Sequence, residues 1–129
     1  MQFLRQQNET KTTTKARGDA AETQVLAFLQ KQGLRLLMRN YRTPGRGGGE
    51  IDLIMQQSDG TVVFVEVRQR SGVRHGGAAA SVAWTKQRRI VRAAQHYLLR
   101  WNRLPATRFD VVALDGEQLQ WLQGAFDAA

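Results

Sequence analysis

The sequence predicts a mixed α/β domain whose elements run helix, three strands, helix, strand, strand. The first sign is a doubled alternation of apolar and polar residues from Gly49 to Arg70, two strands joined at the turn-forming Ser58-Asp59-Gly60. The second is a long stretch of helical period, Trp84 to Trp101. The third is a pair of runs, Arg108 to Leu114 and Gln118 to Gln123, separated by Asp115-Gly116. A helical crossover after the third strand permits a parallel neighbour, so a mixed sheet is expected.

Taken in order, Met1 to Lys15 is polar and repetitive in Thr. It is expected to be a flexible tail to a single domain over residues 16–129. Gly18 to Gln32 reads as a helix, with Asp19 as cap or first-turn acid and Gly33 as its stop. Ala21, Val25, Phe28 and Leu29 form its apolar stripe. Glu22 lies beside that stripe, where a carboxylate is usually solvated or paired. It becomes a candidate ligand only if the helix packs over other acids. Leu34 to Asn40 is a strand interrupted by Arg35 and Arg39. Tyr41 to Gly49, YRTPGRGGG, is a Pro/Gly-rich loop without the spacing of a phosphate-cradling Walker loop. Two readings of it stand side by side: a mobile flap offering Arg42 and Arg46 to phosphates, or a plain hairpin loop.

In the central hairpin, Ile51, Leu53 and Met55 alternate with Glu50, Asp52 and Ile54. In its second strand Val62, Phe64, Glu66 and Arg68 share one face, and Val63, Val65 and Val67 the other. Antiparallel pairing sets the start of the first strand beside the end of the second, bringing Asp52 near Glu66. Two carboxylates together on an apolar sheet are costly unless a cation lies between them. A hard divalent cation with oxygen ligands meets that need.

Ser71 to Ser81 is small and flexible in composition. His75 within it is isolated and His96 is the only other histidine, while cysteine is absent, so neither a histidine nor a thiolate metal site is expected. In the long helix Ile90, Ala94, Tyr97, Leu98 and Trp101 make the core stripe. Lys86, Arg88, Arg89, Arg92 and Arg100 supply its cations. Cations near a helix N-terminus oppose the macrodipole, so they point either to phosphate contacts or to a solvated basic face. Gln118 to Gln123 reads as an edge strand and Gly124 to Ala129 as a short tail.

The charge balance bears on partners. Among 129 residues there are 19 Lys and Arg against 11 Asp and Glu, a formal net charge of +8. Between Val67 and Phe109 there is no acidic residue. Such clustering suggests a polyanion, with nucleic acid favoured over an acidic protein. No apolar run approaches a membrane span and no signal peptide core is visible, so the expectation is a cytoplasmic protein without a membrane partner.

Five motifs together resemble a known family. They are Gly18-x-x-Ala21-Glu22, Gly49-Glu50-Ile51-Asp52-Leu53-Ile54, Val63-Phe64-Val65-Glu66-Val67, Lys86-Gln87-x-Arg89 and Arg108-Phe109-Asp110-Val111-Val112. In order, from about Gly18 to Phe126, they resemble the YraN-like family. That family is similar to Holliday junction resolvases and is placed with the restriction-endonuclease-like PD-(D/E)xK fold, a mixed sheet flanked by helices in the order αβββαββ. The resemblance implies a metal-dependent endonuclease, structure-selective on branched DNA, with Mg²⁺ or Mn²⁺ as cofactor and DNA favoured over RNA. It also implies a homodimer, as is common among junction-cleaving proteins of this fold.

Carried over by position, Asp52 and Glu66 are the metal ligands and Glu22 the helix acid that this fold often adds. The lysine of the motif falls on Arg68, where the sequence departs from the pattern. Arginine keeps the charge but does not act as a general base. Lys86 could supply an ammonium from another direction. Arg42, Arg46, Arg70, Lys86, Arg88, Arg89 and Arg92 are the expected nucleic-acid contacts. A binding-only protein on the same fold is the competing reading, and Arg68 is its support.

Overall fold

The computed structural model describes residues 13–70 and 82–128. Most of the N-terminal Thr-rich segment, the stretch Ser71–Ser81 with His75, and Ala129 lie outside the described residues.

Helix α1 spans Thr14–Lys31. Thr13 caps it, its hydroxyl accepting the N–H of Ala16 at 3.0 Å. The helix thus starts earlier than Gly18, and Asp19 lies inside it rather than at the cap. Polarity alone could not separate a capping threonine from the threonines around it. Ala21, Val25 and Leu29 are buried as their spacing predicts. Phe28 packs edge-on against Trp121 at 5.8 Å between ring centroids. Gly33, with φ +94°, turns the chain out of the helix, a backbone conformation few other residues accept.

Five strands follow: β1 (Arg35–Arg42), β2 (Glu50–Gln56), β3 (Val62–Arg70), β4 (Thr107–Asp115) and β5 (Gln118–Phe126). They form one sheet in the order β1-β2-β3-β4-β5. The β3–β4 pair is parallel and the others antiparallel, so the sheet is mixed as expected. Helix α2 (Trp84–Leu98) makes the crossover between the parallel strands.

Each helix covers one face. Under α1 lie Leu53, Met55, Val63, Val65, Val112 and Leu114. Under α2 lie Ile51, Ile54, Val62, Phe64, Phe109 and Val111, meeting Ile90, Val91, Ala94 and Tyr97. The period-2 alternation of β3 and β4 is what feeds both cores. In β2 that alternation slips: Ile51 joins Ile54 under α2 instead of Leu53 under α1. The slip falls beside Asp52.

β1 reaches further than its apolar letters suggested. Tyr41 and Arg42 belong to the strand and not to the loop, and Tyr41 is buried against Tyr97, ring centroids 5.4 Å apart. β5 likewise runs past Gly124 to Phe126, where the sequence reading ended it at Gln123. The cause is Asp110. Its carboxylate is fully buried and accepts from Arg108 (2.8 and 2.9 Å), Trp121 Nε1 (2.9 Å) and the N–H of Gly124 (2.9 Å). The last bond bridges the register shift between Phe109 and Val111, so β5 resumes pairing at Phe126.

The junction of loop and helix is equally tight. A Cβ on Gly49 would overlap the Arg89 carbonyl well inside van der Waals contact and touch Ala93 Cβ at 3.4 Å. Gly49→Ala is therefore expected to cost about 1–3 kcal/mol by forcing α2 off β2, read as a lowered urea midpoint. An unchanged midpoint would contradict this packing. No helix among the described residues is long and apolar enough to cross a membrane.

Candidate active site

The β2–β3 ladder ends at Leu53–Val65, one position short of Asp52. Where the strands part, Asp52 Oδ2 accepts the N–H of Val67 at 2.8 Å. The side chain substitutes for the lost ladder bond and is held pointing across to β3. Glu66 follows Val65 and lies on the face under α2, its side chain 3% exposed. From the first turn of α2, the Lys86 ammonium pairs with Glu66 Oε2.

These groups open onto a cleft of about 650 Å³ that is walled by the end of β1, the Thr43–Gly49 loop and the N-terminal half of α2. Asp52, Glu66, Glu50, Arg42, Lys86 and Arg89 line it. The hairpin itself is closed at its base: Gly49 N–H donates to Thr43 Oγ1 at 2.8 Å, and Thr43 N–H donates to the Gly49 carbonyl at 3.1 Å. A Cβ on Gly48 would meet Thr43 O at 2.6 Å. The Pro/Gly-rich segment is thus a shaped wall at its stem.

Glu22 reaches the same region from α1 but opens into an adjoining hollow shared with Arg39, Arg42 and Glu50. Arg39 Nε stands 3.5 Å from Glu22 Oε1. The Arg39 guanidinium also donates to the Asp19 carbonyl and to Thr23 Oγ1, both at 2.8 Å. Arg39 was legible only as a cation interrupting an apolar strand, whereas Glu50 stood beside Asp52 in the Gly49–Ile54 motif without a role of its own. Arg39 carried no signal for a site.

The remaining cations divide. Arg92 approaches the hairpin, its Nη1 4.0 Å from where a Gly47 Cβ would sit. Arg46 is exposed at the hairpin tip. Arg88 turns away, donating to the Ala128 carbonyl at 3.0 Å with its guanidinium 6.0 Å over the Trp84 ring. Arg68 is half-buried in β3 and does not line the cleft. Arg70 ends β3.

The electrostatics single out two acids. Burial, and next the neighbouring Glu66 charge, push Asp52 up to about 7, against the opposing bond from Val67. Burial, and next the Asp52 charge, push Glu22 up to about 7, with Arg39 opposing. Glu66 Oε2 and Glu22 Oε1 are buried, each with a single cation, Lys86 and Arg39 respectively, against it. This is a local surplus of negative charge short of compensation.

Among the described residues no three His, Cys, Asp or Glu side chains stand close enough together to hold a metal ion by themselves. Asp52 and Glu66 come together; Glu22, in the next hollow, feels the charge of Asp52. Two carboxylates still suit Mg²⁺ or Mn²⁺, since Mg²⁺ is commonly bound through one or two carboxylates, with water and substrate phosphate completing its shell. The donors are hard oxygens, and Glu66 Oε2, which faces the Lys86 ammonium, is the atom such an ion would take over.

Both raised acids bind protons more tightly in the folded chain than in the unfolded one. Their contribution to stability is full below about pH 4, the ordinary carboxylate range, and is lost as pH rises through about 7. Thermal unfolding in EDTA is expected to shift downward as pH is raised from 5 to 8, and millimolar Mn²⁺ is expected to reverse the shift. A melting temperature flat across that window would contradict the charge surplus.

Residues 21–114 match the model of the uncharacterised protein family UPF0102. The chain belongs to that family. A UPF0102 protein from Albidiferax ferrireducens is 66% identical over 116 residues, covering 90% of this chain and 91% of the relative. UPF0102 proteins from Paracidovorax citrulli (64% identical; 92% of this chain, 87% of the relative) and Acidovorax sp. strain JS42 (62%; 91% and 89%) are similarly close. The YraN-like resemblance of the five motifs is thereby borne out, and the matched span of the UPF0102 model contains Glu22, Asp52, Glu66 and Lys86.

Proposed function

We propose that this UPF0102 protein is a divalent-cation-dependent endonuclease on a restriction-endonuclease-like fold, hydrolysing phosphodiesters of branched DNA. One observation carries the reading: half-buried Asp52 and buried Glu66 meet where β2 and β3 part, on the wall of a cleft that Arg42, Lys86 and Arg89 also line.

Asp52 and Glu66 would hold Mg²⁺ or Mn²⁺. When bound, such an ion supplies charge stabilisation to the phosphate and lowers the pKa of a coordinated water. Lys86, rather than Arg68, is the ammonium of the site. It enters from α2 against Glu66, and on substrate binding it can turn to a phosphate oxygen and stabilise the charge that develops there. Arg42 and Arg89 on the cleft wall orient the flanking phosphates. Glu22, clamped by Arg39, adds negative potential at Asp52 and tightens its hold on a cation.

The test is incubation with a panel of branched, nicked, linear and RNA substrates in Mn²⁺, Mg²⁺ or EDTA. Cleavage dependent on the divalent ion, and lost in Lys86→Ala but not in Arg68→Ala, is the expected pattern. Absence of cleavage on every substrate would leave the binding-only alternative. Equal losses in the two variants would overturn the assignment of the ammonium to Lys86.

A further inference from the structure

α2 and the turn that follows it carry basic side chains beyond the cleft. Drawn at 100° per residue, Arg89, Arg92 and His96 fall within an arc of roughly 60°, and Arg100 follows in the turn after the helix. That arc lies beside the buried positions Ile90, Ala93, Ala94 and Tyr97. All four side chains are exposed, and each has a neighbour that fixes it or places it next to the β1 side of the fold. Arg89 lines the cleft. Arg92 stands by Gly47 of the hairpin. His96 Nδ1 is hydrogen-bonded to the buried Tyr41 hydroxyl. Arg100 is stacked on Tyr97, its guanidinium carbon 4.3 Å from that ring centroid and 5.5 Å from that of Tyr41, while Nε donates to the Tyr97 carbonyl at 3.1 Å.

On a merely solvated face His96 and Arg100 would have no reason to be held in this way. Stacking and hydrogen bonding remove rotamer freedom before any ligand arrives, which lowers the ordering cost of binding. The stacked guanidinium of Arg100 still has donors free of the Tyr97 carbonyl, because Nε alone makes that bond. If the Tyr41 hydroxyl donates to Nδ1, the ring hydrogen of His96 is on Nε2. From Arg89 to Arg100 the helix and its last turn rise about 16 Å. One strand of a duplex carries roughly five phosphates over that length.

We infer that the Arg89–Arg92–His96–Arg100 ridge is a phosphate-binding track that grips the nucleic-acid backbone on one side of the cleft. It rests on the nucleic-acid reading of the cleft, but not on cleavage. The track continues the cleft wall away from Asp52 and Glu66, so the substrate must extend on that side for full affinity. The side chains meet phosphates and not base edges, so the track adds affinity without sequence preference.

The test is fluorescence anisotropy of the full chain in EDTA with a fluorescein-labelled duplex, across a salt series. Arg92→Gln/Arg100→Gln is expected to weaken binding ~10-fold near 0.1 M salt and to reduce the slope of log K against log salt by about 1.8, two phosphates at 0.9 each. Arg92→Gln alone should give about half the slope change, which keeps the test open if the double variant folds poorly. Lys31→Gln/Arg103→Gln removes equal charge elsewhere and is expected to leave the slope nearly unchanged. An unaltered slope in the ridge variants, an equal loss in the Lys31/Arg103 pair, or competition by polyglutamate as effective as by DNA would overturn the track. If no substrate is cut with any ion while the ridge variants lose their slope, the track stands and the endonuclease reading falls.

Discussion

Replacing Asp52 by Asn is expected to abolish divalent-dependent cleavage and, in the same protein, to stabilise the metal-free fold. The two effects have one cause. Asn can still accept the Val67 N–H through its carbonyl and can donate to Glu66, so the geometry at the parting of β2 and β3 survives. What disappears is a carboxylate whose ionisation is resisted by burial and by Glu66 up to about pH 7. At about 1.36 kcal/mol per pKa unit, its removal should add on the order of 2–4 kcal/mol above pH 7 and almost nothing below pH 4. Cleavage should fall by at least about two to three orders of magnitude, toward the EDTA background, as when a group acting on the transition state is removed. Unfolding in EDTA at pH 5 and pH 8, beside a cleavage assay in Mn²⁺, measures both. A variant that is less stable at pH 8, or that still cleaves at the wild-type rate, would contradict the account. Opposed effects on stability and activity are the mark of a strained functional site.

Asp110→Ala is expected to cost about 3–5 kcal/mol without touching the cleft. Asp110 is fully buried and takes four hydrogen bonds, two of them from Arg108. Breaking a buried ion pair by removing one partner leaves the other charge uncompensated, which accounts for most of that cost. Trp121 Nε1 and the Gly124 N–H would also lose their acceptor, loosening β5 beyond its register shift. For a chain of 129 residues this corresponds to a drop in melting temperature on the order of 10–20 °C. Chemical denaturation should show a lower midpoint. Cation binding by the folded fraction at low temperature should be kept. A loss below about 1 kcal/mol would mean the network is replaceable by water.

Much of the fold is legible because strands and helices bury on different periods. The alternation of Val62 through Val67 feeds two cores, and it is plain in the letters. The meeting of Asp52 with Glu66 also follows from antiparallel pairing alone. What stayed hidden depends on tertiary partners. Thr13 as a cap is indistinguishable from its Thr neighbours until the helix exists. Tyr41 reads as the start of a glycine-rich loop, yet it is buried because α2 supplies Tyr97 and His96. In the letters β5 ends at Gln123, because nothing there shows Asp110 reaching across to hold Gly124. Arg68 shares the alternation of Glu66 but lies outside the cleft walls, whereas Lys86 arrives from a different element. Strand periodicity cannot express that exchange of roles.

Anomalous scattering from crystals grown in Mn²⁺ is the most direct test of the central claim, that two acids from parting strands share one divalent ion. The account predicts a single strong peak at oxygen-ligand distance, roughly 2.0–2.4 Å, from both Asp52 and Glu66, with Lys86 displaced from Glu66. A well-ordered, metal-soaked crystal with no peak there, and Lys86 still paired to Glu66, would contradict it.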